Sequence, residues 1–239
     1  MDYNYNNNVT PPPYYGGVSV KEQTNSVLKR VYVRMFIGLI ISAFTALGVA
    51  SSTTMLQIIY GNPLVYWGMF IAMIVMAIMI PARMNRMSSG AVLGCFVLFA
   101  ALMGASLGSI FIVYSLGSIV STFFIASGTF GAMSVYGYFT KRDLTKVGSF
   151  LVMALFGLII ASVVNIFVAN STLDWIISFA GVLIFIGLTA WDTQTVKRMA
   201  EANLDPAMAD KLATMGALNL CLDFINLFLF LLRLFNDRN

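Results

Sequence analysis

The segment Met215–Leu232 reads MGALNLCLDFINLFLFLL, and Asp223 is its only charge. A second aspartate, Asp192, closes the preceding apolar run, Trp175–Trp191. A carboxylate at the centre of a membrane helix costs about 2.5–3.5 kcal/mol on insertion scales. Such residues face a bundle interior, find a partner and mark ion or proton pathways. Asn219, Asp223 and Asn226 stand at i, i+4 and i+7, one face of a helix, and Gly216 extends the stripe. The chemistry open to this set is proton exchange between carboxyls and contact with a cation. Asp192 and Asp223 are therefore a candidate proton-sensing dyad and candidate Ca²⁺ contacts. If they meet in a poorly solvated site they cannot both ionise cheaply, so they titrate as one unit. A shared proton would clamp their helices together. Its loss would make the carboxylates repel or recruit a cation, an arginine or Ca²⁺.

Each of these residues also has a plainer reading. Asn219 and Asn226 would serve equally as hydrogen-bonding glue between helices. Asp192, near a membrane boundary, would be content hydrated or paired with Lys197 or Arg198. Arg83 and Arg86 are the candidate counter-charges, and their alternative is ordinary anchoring at the membrane surface.

These side chains need elements that hold them inside a bilayer. The chain of 239 residues is 59% hydrophobic and 10% charged, whereas soluble domains carry about 25% charged residues. It is therefore read as an integral membrane protein. Histidine is absent, which removes the commonest proton shuttle and metal ligand. Cys95 and Cys221 lack metal-ligand spacing and read as small buried hydrophobes. No cofactor is expected. A net charge of +4 raises the question of nucleic acid, but the placement of the basic residues answers it otherwise.

Residues 1–27, rich in Asn, Tyr, Pro and Gly, cannot build a core and are expected to form a disordered cytoplasmic tail. They lack the pattern of a secretory signal peptide. Residues 28–239 are expected to form one seven-helix membrane domain. Its apolar stretches fall at about 32–53, 63–82, 90–113, 116–138, 147–168, 173–193 and 214–234, each near the ~20 residues that span a bilayer. All must be helices, since backbone polar groups in lipid need internal partners. The fold class is all-α and polytopic. The one polar stripe on an otherwise apolar seventh helix puts that helix at the centre of the bundle.

Twelve of the 14 basic residues fall before or within the first turn of helix one, and in the loops after helices two, four and six. The intervening loops contain none. By the positive-inside rule the amino terminus and the loops 83–89, 139–146 and 194–213 are cytoplasmic. Seven spans put the carboxy terminus outside. Arg233 and Arg238 count against this, so a seventh segment that does not cross fully stays open. Asp223 then lies about nine residues, or roughly 13 Å, below the cytoplasmic face. Asp192 is shallower, and a vestibule or helix tilt would bring the two together. Gly104 and Gly108, with Ser127, Gly128, Gly131 and Ser134, read as packing positions for close helix approach.

Three segments carry a family resemblance. GTFGAMSVYGYFTKRDLTKVGSFLVMALFGLIIASVVNIF (Gly128–Phe167), IGLTAWDTQTVKRM (Ile186–Met199) and GALNLCLDFINLFLFLLRLF (Gly216–Phe235) resemble the Bax inhibitor-1 family, the transmembrane Bax inhibitor motif proteins, in its bacterial inner-membrane form. The resemblance implies seven helices with the last surrounded by the other six. It also implies a pH-sensitive Ca²⁺ leak gated by two aspartates and an arginine. The aspartate of the family's Y/W-D-x-Q motif falls on Asp192, and that of LDFINLF on Asp223. The family arginine falls on Arg86 in an ungapped alignment, with Arg83 as fallback. Trp191 and Cys221 stand where tyrosine is usual, changing bulk and hydroxyl beside the dyad.

The expected function is a passive, proton-gated cation (Ca²⁺) leak of the inner membrane, with lipid, Ca²⁺ and protons as partners and no nucleic acid. The alternative is a regulatory protein without flux, which binds a membrane protease or a stress or cell-death component through its tail and the loop 194–213. An enzyme is not expected. Intramembrane aspartyl proteases also use two aspartates, but Leu220-Cys221-Leu222 replaces their glycine motif before Asp223. A retinal protein would need a lysine in the last helix, and the stretch Met215–Leu232 has none.

Overall fold

The chain was described in a computed structural model over residues 19–202 and 204–235. Among these residues the secondary structure is helical, with no strand. The helices are α1 (Val20–Ala50), α2 (Thr53–Tyr60), α3 (Pro63–Arg83), α4 (Ser89–Leu107), α5 (Ile110–Val113), α6 (Leu116–Phe139), α7 (Thr145–Val168), α8 (Ser171–Ala200) and α9 (Pro206–Phe235). Seven spans result, α3 running on through the 3₁₀ turn Met84–Arg86 and α4 continuing into α5. The all-α, seven-span architecture read from the sequence is the observed one.

Short polar residues start the helices where the sequence places them. Ser52, Asn62, Ser88, Ser115 and Asn170 each accept a first-turn amide with their side chains, satisfying donors that no helical carbonyl can reach. The Tyr114–Leu116 hairpin is as tight as expected, with Ser115 capping α6. The third span is broken at Gly108–Ser109. There the Tyr60 hydroxyl accepts from the Ser109 amide and donates to the Ala105 carbonyl, so the short α2 holds the break in place.

Three boundaries differ from the sequence reading. The first helix begins at Val20, not near 32. Ser19 and Glu22 form a reciprocal capping box there, and Thr24, Val27 and Leu28 are buried against the bundle. Residues 19–27 thus belong to the membrane domain; the rest of the expected disordered tail, residues 1–18, lies outside the described residues. The loop expected at 194–213 is mostly helix, because α8 runs on to Ala200 and α9 begins at Pro206. Val196, Ala200, Ala209, Leu212 and Ala213 are buried in those extensions, so this face is packed rather than free.

The last helix is the most buried span: 72% of its most apolar stretch lies inside the protein, against 6% for α7. α9 packs against α8, α1, α6, α4 and α3, while the main partner of α7 is α8. Close approach rests on particular glycines. A Cβ on Gly104 would strike the Ser42 backbone of α1, and one on Gly137 the Ala190 backbone of α8. The packing role expected of Gly104 is observed. Gly128 and Gly131 have open space where a Cβ would go, so for these two it is not.

Ion pairs fasten both ends of α9. At the end rich in basic residues, Arg34 of α1 pairs with Asp210. At the opposite end Arg233 pairs with Asp174 in the first turn of α8. The about 23 residues between Asp210 and Arg233 span roughly 35 Å, slightly more than a hydrocarbon core of about 30 Å. α9 therefore crosses the full thickness of the bundle, and Arg233 is held at the far end by a carboxylate. Arg238 lies outside the described residues.

Candidate functional site

α8 and α9 pack along one another, and this brings the two sequence-identified aspartates together. The Asp192 and Asp223 carboxyls come close enough across the α8–α9 interface to interact electrostatically. Asp223 is 4% exposed, and Asp192 is partly buried at the shallower level. Apolar residues flank both aspartates, with Thr189 and Thr193 buried beside Asp192. Leu220, Cys221, Phe224 and Leu227 are buried on α9, and Leu188 and Ala190 on α8. The Asp223 Oδ2 and the neighbouring Thr193 hydroxyl have no hydrogen-bond partner among the described residues. Two ionised carboxyls this near one another repel unless a proton or a cation comes between them.

The two cations nearest in sequence do not supply it. Lys197 donates to the Tyr138 carbonyl at 2.8 Å and lies over the Tyr138 ring. Arg198 pairs with Asp143 at 2.7 Å. Gln194 accepts from the Leu144 amide and donates to the Arg142 carbonyl. The residues after Asp192 thus lace the 139–146 loop onto α8 and leave the aspartate to its partner on α9. The Asp143 carboxyl is held well below the ordinary carboxylate range, first by the Thr145 hydroxyl and amide and then by Arg198.

Arg83 and Arg86 are exposed, and neither makes an ion pair or hydrogen bond among the described residues. This structure does not bring them to the dyad. The asparagines divide. Asn219 is partly buried. Asn226 donates to the Leu222 carbonyl of its own helix at 2.8 Å, so that amide is spent within α9 rather than across to a neighbour. Asn226 also lines a cavity of about 390 Å³ with Tyr114 and Arg233 at the far end of the bundle.

The sequence reading passed over Arg34. Its guanidinium donates to the Asp210 carbonyl, the Asp210 carboxylate and, at 2.7 Å, the Thr214 hydroxyl. Arg30 reaches the same carboxylate at 3.4 Å. This clamp ties α1 to the first turns of α9, the helix that carries Asp223. Its one visible signal was a basic residue one turn inside the first apolar stretch, facing an acidic residue whose position only the fold reveals.

Among the described residues no group of three or more His, Cys, Asp or Glu side chains is placed to hold a metal. Ca²⁺ takes six to eight oxygens, so a cation at the dyad would find two carboxyls and must complete its shell with carbonyls and water.

Known proteins resemble the chain over most of its length. The family described as "Inhibitor of apoptosis-promoting Bax1" matches residues 24–239. The inner membrane protein YbhL of Escherichia coli K12 is 44% identical over 213 residues, covering 88% of this chain and 91% of YbhL. A Borreliella burgdorferi protein is 44% identical over 215 residues, covering 90% of this chain and 93% of its own length. Protein RP147 of Rickettsia prowazekii is 50% identical over 143 residues, covering 60% of this chain and 61% of RP147.

Proposed function

The chain belongs to the Bax inhibitor-1 family, and from that premise we propose that it is a pH-sensitive passive cation leak, with Ca²⁺ as the transported ion, gated by the Asp192–Asp223 dyad. The observation that carries this reading is two carboxyls close enough to interact across the α8–α9 interface, one of them buried with an oxygen that has no hydrogen-bond partner among the described residues. A purely structural site would be expected to give that oxygen a donor.

In the proposed cycle the contact seen here is the proton-shared state, with α8 and α9 held together. Loss of the proton leaves two adjacent carboxylates that repel and draw in a cation. Ca²⁺ is one such cation; Arg86, or Arg83, is the counter-charge that competes with it. The two-carboxyl site binds Ca²⁺ weakly, which suits release more than storage. No ring of acidic residues or selectivity filter is evident in the sequence, consistent with a slow leak rather than a selective channel. The amino terminus and the basic face of the bundle are cytoplasmic in this account. The protein sits in the inner membrane, as the name of YbhL states for that relative, and it is not an enzyme.

The family's description, inhibition of an apoptosis-promoting protein, favours a second reading: a regulator that binds another membrane protein and carries no flux. Its docking surfaces would be the amino-terminal residues and the short turn between α8 and α9. Ca²⁺ flux into liposomes containing only the purified protein separates the two. Protein-dependent flux that responds to pH supports the leak. Its absence at every pH supports the regulator.

A further inference from the structure

The seam between α1 and α6 holds a feature the dyad does not use. Both helices pack against α8 and α9, but not along one another. A cavity of about 430 Å³ and another of about 460 Å³ lie along this seam and share Tyr32 and Phe130. Their walls are apolar, with Leu28, Phe36 and Val135 among them. Gly131 lines the first of them and faces open space, since a Cβ there would meet nothing within 4 Å.

The end of the seam at the basic face is polar. Lys29 lines it, exposed and without an ion pair among the described residues. The Tyr138 hydroxyl donates to the Asn25 side-chain oxygen at 3.1 Å, bridging the two helices, and the Asn25 side-chain amide has no acceptor among the described residues. One turn deeper, Ser134 lines the same cavity. Its hydroxyl is buried and has no hydrogen-bond partner among the described residues, although a serine in a helix ordinarily bonds back to its own backbone. A cation at the mouth, a lone hydroxyl one turn in, and an apolar trough beyond match the order of groups along a phospholipid: phosphate, ester, acyl chain.

We propose that the α1–α6 cleft binds an anionic glycerophospholipid from the leaflet on the basic face, with its phosphate at Lys29 and Asn25, an ester carbonyl at Ser134, and one acyl chain lying over Phe130 and Tyr32. A basic pocket between membrane helices recognises anionic head groups in this way. The trough alone would accept any lipid; Lys29 supplies the preference for negative charge.

Native mass spectrometry of the full chain in detergent, titrated with phosphatidylglycerol or with phosphatidylcholine of the same acyl chains, tests the site. Wild type should retain one phosphatidylglycerol in preference to phosphatidylcholine. Lys29→Gln should weaken phosphatidylglycerol retention about fivefold, the attraction of one lysine for an anionic head group, and leave phosphatidylcholine unchanged. Gly131→Leu should fill the trough and weaken both lipids. Lys29 is exposed, so its variant stays informative even if Gly131→Leu fails to fold. Equal retention of the two lipids by wild type, or unchanged phosphatidylglycerol retention in Lys29→Gln, overturns the proposal. A two-chain species that disappears in Gly131→Leu also overturns it, because the cleft would then hold a second copy.

Discussion

Arg233, two residues before the end of α9, pairs with Asp174 in the first turn of α8. A basic residue at that depth would otherwise argue that the seventh helix turns back. The pair instead holds Arg233 at the end of the bundle opposite Arg34 and Asp210. A topology in which α9 crosses fully follows, and the charge map orients it. In a background lacking Cys95 and Cys221, a cysteine probe at Asn62 or Ser171 should label from the periplasm. One at Asp143 or Asp205 should label only from the cytoplasm. Periplasmic labelling at Asp143 would reverse the orientation.

The Arg34 clamp should carry stability. Arg34→Ala removes two charge-assisted bonds to Asp210 and one to Thr214 and leaves a partly buried carboxylate facing only the longer Arg30 contact. The expected cost is about 1.5–3 kcal/mol, seen as a thermal midpoint lowered by roughly 5 °C or more in detergent. Arg34→Lys should recover only part of it, since an ammonium lacks the planar fork. A midpoint unchanged in Arg34→Ala would make the clamp a surface pair of no consequence.

Much of the molecule was legible before its structure. The seven apolar stretches are local signals, and each corresponds to an observed span. What escaped is tertiary. Residues 194–200 and 206–213 are polar enough to read as loop, yet their small and aliphatic members, Ala200, Ala209 and Ala213 among them, are buried. Arg34 and Asp210 are 176 positions apart, and no period in the sequence joins them. Gly128 and Gly131 look like packing glycines by spacing but face open space. Composition shows that a residue is small, not what stands opposite it.

Asp143 should not contribute to pH sensing. Its carboxyl is held below the ordinary carboxylate range by Thr145 and Arg198. For a group depressed in the folded state, the stabilisation is present above the unfolded value of about 3.9 and is lost as pH falls through the lower folded value. Across about pH 5–8 it is charged throughout. Asp143→Asn should therefore leave the shape of any flux–pH curve unchanged. A curve displaced along the pH axis by this variant would place a second sensor in the 139–146 loop.

Arg86 is exposed and makes no ion pair among the described residues, so its proposed role belongs to the deprotonated state. Arg86→Ala should alter Ca²⁺ leak at the alkaline end of the range and leave the acid end unchanged, with Arg86→Lys intermediate. The same effect in Arg83→Ala and not in Arg86→Ala would move the counter-charge by three residues. Silence of both would make them membrane anchors.

Ca²⁺ flux into liposomes containing purified wild type, Asp192→Asn, Asp223→Asn and the double variant, measured across about pH 5–8, tests the dyad most directly. Asparagine keeps size and hydrogen bonding, so all four proteins should fold. The account predicts a pH-dependent flux in wild type that either single substitution flattens. It also predicts a double variant no more affected than either single one, since the carboxyls act as a unit. Independent, additive effects of the two substitutions, or a pH response preserved in all three variants, would contradict it.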